Sequence, residues 1–287
     1  PAPRLRPAMA VPASLGEPAP LPRWAPPPRP FEEREAEGYR EAVAAGGPWC
    51  EDWARPVLVG SYSALAPLHP SYAEALFEVF ARAAASATTS PVDVWKYLPV
   101  GPFESADKLR AWIGEAVADR SRFYMVVLDG PDPAGARPVG CIAYLRIFPS
   151  EGSIETGFVT LSPTLQRTRT ATEVHYLMMR YVFELGYRRY EWKCHGNNLP
   201  SRRAAQRLGF SFEGIHRQAA VQKGCNRDTA WFSVIDGEWA SRRAAFEAYL
   251  SDANFDASGV QRLALSGLTH PLLAVRDPAL LGEEGAA

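Results

Sequence analysis

This sequence holds no arrangement of residues suited to a metal site or a disulfide framework. Its four cysteines, Cys50, Cys141, Cys194 and Cys225, lie far apart and form no Cys-x-x-Cys pair. That argues against structural zinc, and a chain of 287 residues can build its core without disulfides. The histidines, His69, His175, His195, His216 and His270, show no metal-ligand spacing, so no metal is expected. No stretch approaches the ~18 consecutive apolar residues of a bilayer span. Nor is there an excess of charge: the formal net charge is −1. A general nucleic-acid or membrane-surface binder carries a basic footprint, so neither is an expected partner, and any anion must be bound by local features. A reducing, cytoplasmic compartment fits this cysteine usage.

Proline, by contrast, is abundant at the start. Residues 1–30 end in "PRWAPPPRP" and read as a solvated polyproline tail, with a ligand for a proline-recognising module as the alternative. The first sixteen residues have two arginines and no acid, a faint likeness to a transit peptide that the prolines spoil. "FEEREAEGYREAVAA" reads as a charged helix stopped by Gly46-Gly47-Pro48. Residues 1–55 are therefore expected to be an extension, 56–237 the folded domain, and 238–287 a C-terminal helix with a loosely packed tail.

Within the domain, "VLVGSYSAL" resembles a strand. "SYAEALFEVFARAA" reads as a helix capped by Ser71, and "SADKLRAWIGEAVAD" as a second with Leu109, Trp112, Ile113, Ala116 and Val117 on one stripe. "RFYMVVL", "PVGCIAYLRIF" and "SIETGFVTL", separated by turn formers, predict an antiparallel meander. A long helix follows, with Val174, Leu177, Met178, Tyr181, Val182 and Leu185 at helical spacing. Then come a strand "RYEWKCH", a short helix "NLPSRRAAQRLG", and strands "FSFEGI" and "DTAWFSVID" flanking "KGCNRD". This order predicts an α+β domain, a mixed sheet with helices on both faces.

The segment "LQRTRTATEVHYLMMRYVFELGY" raises a question of charge. A helix start carries unpaired N–H groups and partial positive charge, yet Arg167 and Arg169 crowd this one. Thr170-Ala171-Thr172-Glu173 fits a capping box with Thr170 as N-cap, which leaves the arginines unexplained. A bound phosphate group would turn their cost into charge-assisted hydrogen bonds.

"SPTLQRTRTAT", between a strand and a helix, resembles the acyl-CoA loop of the GCN5-related N-acetyltransferases, whose pattern is Gln/Arg-x-x-Gly-x-Gly/Ala. Gln166 and Ala171 match, and Arg169 stands where the first glycine is usual. "NLPSRRAAQRLGF", from Asn198 through Ser201 to Gly209-Phe210, resembles the family's Asn-x-x-Ser/Ala…Gly-Phe motif. "IETGFVTLSPTLQRT" and "RLGFSFEGIHRQ" are most similar to the ribosomal-protein N-terminal acetyltransferase type. The resemblance covers the core between residues 57 and 236 and implies the family's fold: a twisted, mostly antiparallel sheet flanked by helices and splayed between two central strands. It also implies acetyl-CoA as co-substrate and transfer of acetyl to a primary amine.

Residue by residue, the resemblance assigns Phe158, Val159, Thr160 and Leu161 to the pantetheine arm and the oxyanion donor. Gln166, Arg167, Thr168, Arg169, Thr170, Ala171 and Thr172 would form the pyrophosphate cradle. Asn198 would contact pantetheine, with helix capping as a compatible role, and Ser201 would protonate the departing thiolate. The tyrosine that many relatives place seven residues after the asparagine is Ala205 here. Both family positions for a glutamate base are also changed, to Lys193 and Ala220. Glu155 and His195 remain as candidate bases. Trp95, Tyr97 and Phe103 could wall an acceptor pocket or belong to the core; Arg217 and Lys223 could meet an acidic acceptor or line a solvated rim. The expected partner is a small-molecule or peptide amine, with a homodimer left open. The rival reading is a non-catalytic acyl-CoA sensor or interaction module on the same fold, motivated by the missing glutamates and the proline-rich leader.

Overall fold

The computed structural model describes residues 58–86, 94–119, 121–132, 135–148 and 150–281. The proline-rich leader, the charged helix after it and Cys50 lie outside the described residues.

One eight-stranded sheet runs through the molecule in the order β1-β2-β3-β4-β5-β6-β8-β7. Its strands are β1 (Leu58–Val59), β2 (Ser63–Pro67), β3 (Phe123–Asp129), β4 (Arg137–Phe148), β5 (Ser153–Leu161), β6 (Arg189–His195), β7 (Ser211–Gln222) and β8 (Cys225–Ile235). Every neighbouring pair is antiparallel except β5 and β6, which run parallel. The helices are α1 (Ala73–Ser86), α2 (Ala106–Ala118), α3 (Arg169–Glu184), α4 (Leu199–Arg207), α5 (Asp236–Leu250) and α6 (Leu265–Thr269). The expected α+β architecture is observed.

The uninterrupted apolar run of β3 follows from burial on both sides of the sheet. Phe123, Met125 and Val127 join the core under α3, with Val174, Met178 and Val182. Tyr124, Val126 and Leu128 join the core under α1 and α2, with Leu76, Leu109 and Ile113. Ser105 caps α2 by accepting from Lys108 N–H at 3.2 Å.

Several local expectations are corrected. "VLVGSYSAL" is two strands joined at Gly60–Tyr62. The Glu173 carboxylate fixes that turn, accepting from the N–H groups of Ser61 (2.7 Å) and Tyr62 (2.8 Å) and from Ser63 Oγ (2.8 Å). A Cβ at position 60 would sit 2.3 Å from Glu173 Cδ, so glycine is required there. Ser71 lies inside a 3-10 turn, Pro70–Tyr72, and His69 caps that turn by accepting from Ser71 N–H. "KGCNRD" narrows to a two-residue turn at Lys223–Gly224 between paired Gln222 and Cys225. Both turn residues have positive φ, +49° and +76°, the geometry of a type I′ hairpin.

The described part of the C-terminal segment, as far as residue 281, is packed, not loose. Phe246, Tyr249 and Leu265 are in the α3-side core, and Trp239 stacks on Phe183 at 5.1 Å. Asn254 and Asp277 are buried anchors: Asn254 Nδ2 donates to the carbonyls of Tyr249 and Leu263, and Asp277 is fully enclosed.

Candidate active site

The site begins where the sheet comes apart. The parallel ladder of β5 and β6 has four rungs, from Ser153↔Arg189 to Thr156↔Trp192. Beyond Thr156, Gly157–Leu161 has no rung to β6. A bulge turns β5 away: its register on β4 jumps between Cys141↔Thr160 and Ala143↔Gly157, with Phe158 at φ +51°. The Phe158 ring holds the bend, stacked on Trp112 at 4.9 Å and edge-on to Tyr124 at 5.2 Å. Since successive residues of a strand point their N–H groups to alternate edges, the free edge of Gly157–Leu161 offers backbone donors to the opening.

At the end of β5 the chain turns into α3. Gln166 Nε2 donates to Leu161 O at 3.0 Å, and Arg167 takes the left-handed conformation at φ +63°. Thr168, not Thr170, is the N-cap: its Oγ1 accepts from Ala171 N–H at 3.1 Å and donates to Leu165 O at 2.6 Å. The capping box expected at Thr170 is absent because the carboxylate of Glu173 is engaged on the β1–β2 turn. The N–H groups of Arg169 and Thr170, in the first turn, have no intrahelical acceptor. Arg169 is the first helical residue, so glycine is not needed there; the left-handed position falls at Arg167.

The two arginines divide. Arg167 is exposed. The Arg169 guanidinium lies 4.0 Å from the Tyr62 ring centre and 4.2 Å from that of Phe255. It donates to Asp252 at 2.9 Å and also to Leu250 O, at the negative end of α5. These partners offset the cation's unfavourable place at a helix start. The expectation that the Arg169 side chain cradles phosphate is corrected to this role of pinning α5. A cavity of about 730 Å³ adjoins, lined by Arg167, Thr168, Arg169, Tyr62 and Phe255 among others. The Thr172 hydroxyl is buried, donating to Thr168 O (3.2 Å) and accepting from Arg207 (3.0 Å); it shapes the turn from within.

Across the split, Asn198 caps α4, its Oδ1 accepting from Ser201 N–H at 3.3 Å. Trp192 Nε1 donates to Ser201 Oγ at 3.0 Å. The Cys194 thiol neighbours Ser201, and burial pushes its pKa up to about 11 against a lowering by the serine hydroxyl. Arg202 braces the turn before α4, donating to Gly196 O at 2.7 Å.

The two candidate bases differ sharply. His195 Nδ1 accepts from Asn197 N–H at 3.0 Å. The neutral ring therefore carries its proton on Nε2 and has no free basic nitrogen. Glu155 is buried at the root of the split, and Lys193 Nζ donates to its Oε2 at 2.9 Å. Its other oxygen lies 3.5 Å from where a Cβ on Gly157 would stand. Burial raises the Glu155 pKa, against the pull of Lys193. Glu191 shares that ammonium at 2.8 Å; burial would raise its pKa too, but Lys193 and Arg189 outweigh it and hold it low. Lys193, where the family glutamate would stand, thus serves two carboxylates and lies 3.7 Å from the Trp231 ring.

Of the three proposed wall aromatics, Trp95 is corrected to the core, edge-on to Phe80 (5.2 Å) and Phe103 (5.1 Å). Phe103 packs against that same core. Tyr97 lies 5.2 Å from the His195 ring and donates to Asn197 O at 3.2 Å, which places it beside the turn before α4. Lys223 is no free rim cation: it donates to the carbonyls of Trp95 (3.0 Å) and Gly101 (2.9 Å), tying the β7–β8 hairpin to that loop. Sequence reasoning missed Trp192, whose partner Ser201 lies on another element.

A sheet split between parallel neighbours, with a helix start at its mouth and an Asn/Ser-bearing helix on the far bank, is the architecture of a GCN5-related acyl-CoA transferase. The chain belongs to the acetyltransferase (GNAT) domain family, whose model matches residues 64–211. It is similar to a GCN5-related N-acetyltransferase from Brucella melitensis, with 39% identity, a TM-score of 0.68, and coverage of 75% of this chain and 94% of that one. A probable acetyltransferase (GNAT family) from Chromobacterium violaceum is 34% identical with a TM-score of 0.59, covering 83% and 100%. The uncharacterized N-acetyltransferase YnaD of Bacillus subtilis (strain 168) is 26% identical over 152 residues, 53% of this chain and 85% of the relative. The protein is an acetyl-CoA-dependent N-acetyltransferase.

Among the described residues no helix is long and apolar enough to cross a membrane.

Proposed function

We propose that the protein moves acetyl from acetyl-CoA to a primary amine by direct attack, with a small-molecule amine preferred over a protein N-terminus. The near-neutral charge offers no broad surface for an acidic macromolecular acceptor. Within the family, its motifs favour the ribosomal-protein N-terminal acetyltransferase type.

The observation that carries the mechanism is the split after Thr156↔Trp192, with the start of α3 at one bank and Asn198 and Ser201 at the other. The thioester is already activated, so the site has to position it and offer charge stabilisation. The N–H groups of Arg169 and Thr170 take the pyrophosphate with Arg167. The free edge of Gly157–Leu161 takes pantetheine and supplies an N–H to the developing oxyanion. Ser201 protonates the departing thiolate. Glu155, facing the root of the split and raised by burial, accepts the ammonium proton through water. The same reading divides the chain into an extension (1–55), a catalytic domain (56–237) and a C-terminal segment (238–287), of which Phe246, Tyr249 and Leu265 pack into the α3-side core.

The test is release of CoA thiol from acetyl-CoA across a panel of amines, with acetylated products identified by mass spectrometry. Small primary amines should be turned over faster than N-terminal peptides. Ser201→Ala should lower kcat by about a hundredfold with little change in KM for acetyl-CoA. A Ser201→Ala enzyme with wild-type kcat removes the acid assignment, and faster turnover of peptides reverses the acceptor preference.

A further inference from the structure

Ser201 alone does not determine where its proton points. A serine hydroxyl rotates freely and can donate or accept, so an acid at this position needs something to fix it. Trp192 is the structural feature that does so. It is the last residue of β6 to pair with β5, opposite Thr156, and so stands where the split opens. It is 4% exposed, and its ring is held by His175 on α3 (5.4 Å) and Phe210 (5.7 Å). From that fixed position its Nε1 meets Ser201 Oγ at 3.0 Å.

Indole N–H is a donor only. The Ser201 oxygen must therefore accept this bond, and its own hydrogen is left for another acceptor. In the free protein the neighbouring sulfur is that of Cys194, whose thiol burial keeps protonated. A thiol sulfur is a weak acceptor, so a thiolate entering the split would take that hydrogen in preference. Withdrawal of electron density through the accepted bond also makes the hydroxyl a better donor.

We infer that Trp192 is a positioning residue for the transfer reaction: its indole N–H orients and polarises the Ser201 hydroxyl towards the leaving sulfur of coenzyme A. This rests on the proposed role of Ser201 as acid, and the two fail in different ways.

The test needs no amine acceptor. Coenzyme A is bound to the full chain, and ionisation of its thiol is followed by thiolate ultraviolet absorbance, with desulfo-coenzyme A as the blank. In the wild type the bound thiol should ionise about one pH unit below the free value, as for a single hydrogen bond to a charged acceptor. Trp192→Phe should remove most of that shift and Ser201→Ala all of it, while the double variant matches Ser201→Ala. Affinity for desulfo-coenzyme A should stay within about twofold in each, since neither group touches the phosphate end. If Ser201→Ala keeps the wild-type ionisation, the acid assignment itself falls. Should Ser201→Ala lose the shift while Trp192→Phe keeps it, or the two losses add, Trp192 has no positioning role. If Trp192→Phe loses desulfo-coenzyme A binding, 3-benzothienylalanine at position 192 replaces it. That residue keeps the bicycle without the N–H, and the same outcomes decide.

Discussion

Arg202 on α4 and Asp277 near the C-terminal end of the described chain form a buried bidentate pair, Nε to Oδ2 at 2.6 Å and Nη2 to Oδ1 at 2.5 Å. The third guanidinium nitrogen holds Gly196 O, in the turn that delivers Asn198. Asp277 also accepts from Ala279 N–H, and its own N–H goes to Gln206 Oε1 at 2.7 Å. Breaking such a pair from one side leaves a buried charge uncompensated. Asp277→Ala should therefore destabilise the fold by about 3–5 kcal/mol, measured by urea denaturation. Wild-type stability in this variant would mean that the C-terminal segment is an appendage.

The two arginines of the α3 start should respond differently. Arg167→Met removes an exposed cation beside free N–H groups and should weaken coenzyme A binding by about tenfold, the scale of one charge-assisted contact. Arg169→Met breaks the stack on Tyr62 and Phe255 and the bond to Asp252. It should lower Tm while changing coenzyme A affinity by less than about threefold. Calorimetry on both variants checks the pair, and equal losses of affinity would return Arg169 to the cradle.

These arginines show what was legible in the sequence. Alternation and turn formers are local signals, so the meander of β3, β4 and β5 and both motif-bearing helices could be placed from them. Asn198 as a cap, and its spacing to Ser201, were readable because a capping bond spans only a few residues. The choice of Thr168 over Thr170 was not, since both are threonines. It turns on Glu173, which is drawn off to the turn at Ser61–Ser63 more than a hundred residues away. Trp95 reads alike as pocket wall or core until Phe80 and Phe103 are seen around it. The C-terminal segment looked loose because its anchors are single polar residues: Asn254 acts through local backbone groups that composition does not reveal, and Asp277 through Arg202 and Gln206, more than seventy residues away.

His175 offers a test of the core by pH. It is buried beside the Trp192 ring, and burial, with a further push from Arg207, depresses its pKa from 6.5 to about 3. A folded-state pKa below the unfolded one means that the unfolded chain takes up the proton first as pH falls. Its contribution is therefore fully present above pH 6.5 and is lost progressively as pH drops towards about 3. In that window stability should fall by up to about 1.4 kcal/mol per pH unit from this residue. His175→Gln should flatten that slope, whatever it does to stability at neutral pH. An unchanged slope in denaturation series at several pH values would mean that His175 is protonated in the fold.

Glu155 allows the base to be tested separately from the acid. Burial raises its pKa and Lys193 opposes the rise. As a base it works only when ionised, so kcat/KM should show an acid limb that climbs as pH rises through its pKa, in addition to the rise set by the amine's own ionisation. Glu155→Gln keeps the shape and the acceptor oxygen for Lys193 but cannot take a proton. It should remove that acid limb and lower the plateau by about a hundredfold, within the usual range for a general base. The amine's own ionisation would then remain as the pH dependence, set by the acceptor and not by the enzyme. His195→Gln makes the contrast: its Nδ1 is already bonded to Asn197 N–H, so its loss should leave the acid limb in place. A limb that disappears with His195 and survives in Glu155→Gln would transfer the role, and would require the His195–Asn197 bond to open during turnover.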